Sequence, residues 1–310
     1  VLSTFESRKK QRELNEKLIK FTLIGAATIS ILTTFGILFS ILFEAIEFFK
    51  LRSFWYFITG TVWSPGVIGS QFGALPIFAG TFVITIIALS VAIPIGLGSA
   101  IYMSEYATPK LRDYLKPLLE VLAGIPSVVY GFFAAITVAP LVVKAAQAFG
   151  LEATFNSALA SGIVMGIMII PTISSLSDDV IRAVPDSQRK AAFGLGMTHG
   201  ETIKDIVLPT ALPGIISASL LALSKALGET MVVVMAAGLR PNLSWNPLED
   251  MTTVTVTIVN ALVGDFEFSS PETLSAFALG LVLFVVTLIL NMISLSLIRK
   301  FKEKYKVNTL

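Results

Sequence analysis

Six stretches of this chain are apolar for twenty residues or more, near 21–43, 75–103, 117–143, 157–176, 210–238 and 273–298. Each is long enough to cross a hydrocarbon layer of about 30 Å as a helix, which takes roughly 20 residues. Backbone polar groups in lipid must bond within the chain, so only helices and closed barrels span. These runs are continuous, not alternating, and the expectation is an all-α membrane protein with six transmembrane helices. Composition agrees, with 54% of residues hydrophobic and 14% charged, against about 25% charged in soluble domains. The first run follows a charged segment and outlasts the apolar core of a signal peptide, with no clean small-residue cleavage site after it. It is read as a retained span.

The cationic residues orient the bundle. Eighteen of the 23 Lys and Arg lie in 1–20, 104–116, 177–208 and 299–310, and four lie in 44–74, 144–156 and 239–272. Positive loops stay inside, so both termini are expected in the cytoplasm. The expected organisation is a cytoplasmic segment over 1–20, a six-helix domain over 21–298 and a cytoplasmic tail over 299–310. In the first outer loop, Phe54, Trp55, Tyr56 and Trp63 suit an aromatic belt at the headgroups. In the third, "TTVTVTIVNALVG" (252–264) is too short for a span. It reads as a re-entrant or interfacial segment, a cap that meets an external partner, or an amphipathic piece lying on the bundle. Pro94, Pro126, Pro140, Pro171, Pro209 and Pro213 fall within or at the ends of spans, several beside glycines. Broken helices survive in a bilayer only where neighbours or water satisfy the freed backbone, so these segments are expected to face the bundle interior or a pathway.

Several function classes drop out. With no cysteine, disulfides, thiolate catalysis and Cys-ligated metals are excluded, and His199, the single histidine, leaves no His cluster for a metal. A net charge of +2 without a basic block gives no footprint for nucleic acid. Ser127 and Ser224 are the nucleophile candidates. Ser224 adjoins Lys225 at a spacing that does not face, and neither HExxH nor GxSxG occurs. The chain is read as a non-enzyme without a cofactor.

The longest inner loop, 177–208, is structured. Pro185-Asp186-Ser187 supplies helix-start residues, Gly194 and Gly196 a stop, and Thr198-His199-Gly200-Glu201 a capping box before Pro209 opens the fifth span. "GLGMTHG" has the spacing GxGxxxG and no strand before it, and GxxxxGK[ST] is absent, so no nucleotide site of those types is expected.

The fifth span holds "LSKALGETMVVVMAAG" (223–238), with Lys225 and Glu229 four residues apart and therefore on one face of a continuous helix. About 18 Å of helix separates Lys225 from either end of that span, too far to snorkel. Each such charge costs roughly 2.5–3.5 kcal/mol on insertion scales. Two roles stand side by side. The pair fixes helix rotation, or Lys225 offers a positive charge to a passing anion while Glu229 keeps it from becoming a trap.

The inner loop resembles the "EAA" loop of ABC-importer permeases. Ala191, Ala192, Gly196, Ile206, Leu208 and Pro209 match its pattern, and Lys190 stands where that family has an acid. "ALGETM" (226–231), "GIPSVVYGFFA" (124–134), "AIYMSEYA" (100–107) and "TVWSP" (61–65) look like the PstC-type permeases of phosphate ABC importers. That family usually carries Arg at the position of Lys225, and lysine lacks the bidentate fork. The resemblance implies a type I ABC-importer permease fold and phosphate as cargo. It places Lys225, Glu229 and Ser127 along the pathway. Lys190, Ala191, Ala192, Gly196, Thr198, Glu201 and Pro209 would fall in a coupling loop, about 185–209, docked in an ATPase. It further implies a PstA-type second permease, two PstB-type ATPase copies and a PstS-type extracytoplasmic phosphate-binding protein as partners. The alternatives are a permease for sulfate or molybdate, and an ion-driven transporter with Glu229 as its ion site.

Overall fold

The computed structural model describes residues 2–66, 69–263 and 269–304. Val1, Gly264 of the third outer segment, and the expected tail beyond Lys304 lie outside the described residues. Among the described residues, six helical runs are long and apolar enough to cross a membrane: Asn15–Leu51, Leu75–Tyr106, Ser127–Ala148, Ala158–Arg182, His199–Leu227 and Pro271–Lys300. The six expected spans are present, with the largest boundary shifts in the third and fifth.

The chain opens with one long helix, α1 (Leu2–Leu51), into which the N-terminal charged segment runs without a break. A short α2 (Phe54–Thr59) and a two-residue antiparallel ribbon, β1 (Trp63–Ser64) with β2 (Gln71–Phe72), lead to α3 (Leu75–Ile101). Helix α3 continues through a π-helical turn, Tyr102–Tyr106. Three of the four residues expected in an aromatic belt, Phe54, Trp55 and Tyr56, are exposed. Trp63 is not. It is buried at 9% exposure, 5.5 Å from Phe72 in an edge-to-face pair that also takes in Phe48 of α1 and Phe57 of α2. Its large apolar area is better satisfied in that cluster than at a headgroup.

The third span begins at Ser127 and not at 117. Residues 109–123 form a separate amphipathic helix, α4 (Pro109–Ala123), capped by Thr108 and without a buried residue. The Gly124-Ile125-Pro126 segment ends it, since a proline pushes the residue before it out of the helical region. The span then runs as α5 (Ser127–Phe133), a π turn over Ala134–Val138, and α6 (Ala139–Ala148).

Helix α7 (Ala158–Arg182) packs along α3 to build the main core, with Ile84, Ala88 and Ala92 of α3 among Met165, Ile169 and Ile173 of α7. Gly162 and Gly166 let the two backbones close. A Cβ on Gly166 would sit 2.8 Å from the Ala88 carbonyl oxygen, and one on Gly162 would sit 2.6 Å from Ile87. Small residues four apart serve helix contact in membranes in this way.

The loop after α7 is α8 (Asp186–Gly194), a turn, and α9 (His199–Thr202), which passes through a π turn (Ile203–Val207) into α10 (Leu208–Leu227). Pro209 is thus not at the mouth of a span but inside a continuous helical run. The same arrangement recurs at Pro140, where a π turn stands just ahead of a proline that cannot donate its hydrogen bond.

The fifth span also stops early, at Leu227 and not at 238. Residues 228–230 leave the helix, and a short α11 (Met231–Ala236) follows. Beyond it, Glu249 accepts hydrogen bonds from Asn242 (2.8 Å) and Asn246 (3.1 Å). These bonds, with one from Ser244, hold its carboxyl below its usual range. The third outer segment becomes α12 (Val254–Val263), with Val254, Val256 and Thr257 buried, packed on α13 (Pro271–Lys304). It is inserted rather than laid on the bundle. Its first amide donates to the Thr81 hydroxyl (3.0 Å), and a Cβ on Gly80 would collide with the Thr252 carbonyl oxygen.

Candidate functional site

Two regions gather the residues singled out from sequence. The first lies at the break in the fifth span. Gly228 ends α10, and Glu229 turns back to cap the next helix: its Oε1 accepts from the amides of Met231 (3.0 Å) and Val232 (3.3 Å). The Thr255 hydroxyl of α12 donates to the Glu229 carbonyl oxygen at 2.8 Å. The orphan groups of an interrupted helix are thereby met by a side chain from each side.

The expected Lys225–Glu229 pair on one helix face is not formed. The helix ends between the two residues, and among the described residues no ion pair joins them. Instead each charge sits at a helix end that suits it. Lys225 lies in the last turn of α10, where the dipole is negative, and Glu229 lies at the start of α11, where it is positive.

Lys225 is exposed on a stripe of α10 that includes Thr210, Ser217, Leu221 and Gly228. Beside it the Ser224 hydroxyl lies 3.4 Å from the Asn291 side-chain oxygen of α13. Ser127 begins α5 and is half-buried. Helix α5 packs against α11, with Gly131 so close that a Cβ there would sit 3.0 Å from the Met231 carbonyl oxygen. Ser127 therefore begins the helix that packs on α11, Glu229 lies two residues before α11, and Lys225 lies one turn before the break. Asn291 is a site residue that sequence reasoning missed. A lone Asn in "LILNMISL" was its signal, since polar groups within spans face protein or water.

The second region is the loop over α8 and α9. Ala192 is buried, whereas Lys190, Ala191 and the loop tip are exposed, with Leu195 at 84%. Gly196 adopts φ +84°, a left-handed conformation that costs any other residue type about 1–2 kcal/mol. The capping box forms as read: the Thr198 amide donates to Glu201 Oε2 at 2.7 Å, and the Glu201 amide donates to the Thr198 hydroxyl at 3.4 Å.

Three contacts behind the loop had no sequence forecast. Arg189 of α8 donates to Glu105 at 2.8 Å, and His199 Nε2 lies 4.0 Å from the other Glu105 oxygen. The His199 ring meets Tyr106 edge-on at 5.0 Å. Farther along, Arg112 of α4 pairs at 2.6 Å with Asp178, which is fully buried near the end of α7. The hydrogen bond to Asp178 raises the Arg112 pKa further above its ordinary value.

The described residues thus form a six-span bundle with a broken fifth helix and an ordered, Gly-turned loop before it. The chain belongs to the family described as "Binding-protein-dependent transport system inner membrane component", whose model matches residues 92–304. It is 32% identical over 303 residues to the probable ABC transporter permease protein YqgH of Bacillus subtilis, covering 97% of this chain and 95% of the relative. It is 33% identical to phosphate transport system permease protein PstC 1 of Mycobacterium tuberculosis, covering 79% and 82%. Against PstC of Haemophilus influenzae the identity is 31%, covering 93% and 94%. Two solved structures share the fold. One is a chain of a bacterial alginate ABC transporter in complex with its alginate pentasaccharide-bound periplasmic protein, with TM-score 0.62, 15% identity and coverage of 88% and 92%. The other is a chain of the inward-facing MetNI methionine ABC transporter, with TM-score 0.54, 14% identity and coverage of 74% and 94%. The protein is thus an ABC-importer permease subunit of type I fold, a multi-pass component of a prokaryotic plasma membrane.

Removal of the cap at the break tests the geometry. Glu229→Ala is expected to lower stability by about 1 kcal/mol, typical of a lost helix cap, and Glu229→Gln, which retains an acceptor, by less. Thermal unfolding in detergent measures both, and equal midpoints for Ala and wild type would contradict the capping role.

Proposed function

We propose that this chain is the PstC-type half of an ATP-driven phosphate importer. The observation that carries the reading is Lys225, a cation inside a membrane span, exposed on a helix stripe and without an ion partner among the described residues. A charge so placed must face water or protein once assembled. Several relatives of 31–35% identity are named as phosphate transport permeases. Thr210, Ser217 and Ser224 lie along or beside the same face. Their hydroxyl hydrogens are spent on the carbonyl oxygens of Ile206 and Pro213 and on the Asn291 side chain, so an anion moving past meets a single positive charge, weak enough to release it.

The partners follow from the same reading. A PstA-type permease faces the bare stripe, two PstB-type ATPases hydrolyse ATP, and a PstS-type protein delivers phosphate from outside. The loop over α8 and α9 offers the ATPase an apolar knob, Leu195 and Phe193, beside Lys190. Ala191, Ala192, Gly196, Thr198, Glu201 and Pro209 shape that docking loop, and the excess of Lys and Arg on its side of the bundle supports a cytoplasmic position for it and for both termini. The ion-driven alternative fares worse, because the Glu229 carboxylate it requires is occupied as a helix cap.

Reconstitution with the partner subunits tests the substrate. Phosphate uptake should require ATP and exceed sulfate uptake, each offered with its matched binding protein. Equal sulfate uptake, or phosphate uptake driven by a proton gradient without ATP, would overturn the assignment. Lys225→Gln should reduce phosphate uptake about tenfold or more, in keeping with roughly 1.5–3 kcal/mol for a hydrogen bond to a charged group. Co-purification of the ATPase should be unchanged, and undiminished uptake would leave Lys225 without a transport role.

Gly196→Val forces a β-branched residue into a left-handed turn. It should displace Leu195 and weaken ATPase co-purification and uptake together. Normal uptake would show that the turn is dispensable.

A further inference from the structure

The docking loop has two kinds of route to the spans. One is covalent: three residues join α7 to α8, and α9, its π turn and α10 form a single helical run, His199–Leu227. Movement of the loop therefore reaches the fifth span directly. The other route is polar and centres on Arg189 and Glu105.

Arg189 leaves the first half of α8 and spends its fork on three elements. Its Nη2 lies 2.8 Å from Glu105 Oε1 in the π turn that ends the second span, and 3.0 Å from the carbonyl oxygen of Ile181. Its Nη1 donates to the carbonyl oxygen of Val184 and, at 3.3 Å, to Asp186. Ile181 lies in the last turn of α7 and Val184 two residues past its end, and the Ile181 carbonyl also accepts from the Val184 amide at 3.3 Å. Only 15% of the Arg189 side chain and 6% of the Glu105 side chain are exposed. From the other arm of the loop, His199 approaches the second Glu105 oxygen at 4.0 Å and packs on Tyr106. Both arms of the loop therefore close on Glu105–Tyr106.

We propose that Glu105 and Arg189 are a positioning pair that transmits movement of the docking loop to the second and fourth spans. The proposal rests on the loop being the ATPase-docking element. A guanidinium suits the task because its planar donors engage a carboxylate and backbone carbonyls at once. A lysine at 189 would keep the charge but not that geometry. A glutamine at 105 would keep the shape and an acceptor while removing the charge that makes the contact strong.

The test uses the assembled transporter with Glu105→Gln and Arg189→Lys. The chain has no cysteine, so single spin labels can be placed at Ser90→Cys on α3 and Ser217→Cys on α10. In the unaltered pair, ATP binding should change label mobility at both positions. In each variant the Ser217 response should persist and the Ser90 response should fall at least threefold, and the phosphate moved per ATP hydrolysed should drop at least fivefold. The label readout needs no phosphate, so it stands apart from the substrate assignment, which is judged by wild-type uptake alone. Arg112→Lys, which loosens a tie between α4 and α7 outside the loop, should lower the unfolding midpoint without changing either readout. Wild-type label responses and phosphate per ATP in Arg189→Lys would overturn the proposal, whether or not Glu105→Gln assembles.

Discussion

A helix interrupted within a bilayer must satisfy its freed backbone groups from inside the protein, and here one carboxylate does most of that work. Glu229 caps α11 through two amides, and Thr255 of α12 closes on the Glu229 carbonyl. The surrounding elements arrange themselves about this joint. Helix α5 approaches α11 through Gly131, and α12 inserts its first turn between α3 and α13. Because the carboxylate is committed to the backbone, Lys225 is left without it. The two charges, four residues apart, serve different ends: one holds a joint together and the other faces outward.

The same logic of prolines and π turns governs the long spans. Pro140 and Pro209 each follow a π turn, so the helix passes through a residue that cannot donate without stopping. At Pro209 this has a mechanical result. The capped helix of the loop and the fifth span become one rod, with the exposed Leu195 just before one end and Lys225 near the other. The span that carries the cation is thus continuous with the capped helix of the loop.

Much of this was legible in the residues. Run length gave six spans, and the capping box and Gly turn gave the loop its two helices, because caps and left-handed glycines are local chemistry written within a few positions. The errors fell where a local pattern competed with a longer one. Hydropathy alone carried the third span back to 117, although the charged residues of "PKLRDYLKPLLEVLA" and Pro126 mark a separate amphipathic helix. It carried the fifth span through Gly228, because a periodic rule assumes the helix continues. Trp63 read as a belt residue, since its burial depends on Phe48, Phe57 and Phe72 from three other elements. The Arg189–Glu105 and Arg112–Asp178 pairs join positions 84 and 66 apart, a separation at which no spacing rule operates.

The division of labour between Lys225 and Glu229 is most directly tested by thiol labelling. In the assembled, otherwise cysteine-free permease chain, Lys225→Cys should react with a hydrophilic methanethiosulfonate in at least one nucleotide state, and phosphate should slow the reaction. A cysteine there that stays unreactive in every nucleotide state, or that phosphate never protects, would contradict a pathway role for this position.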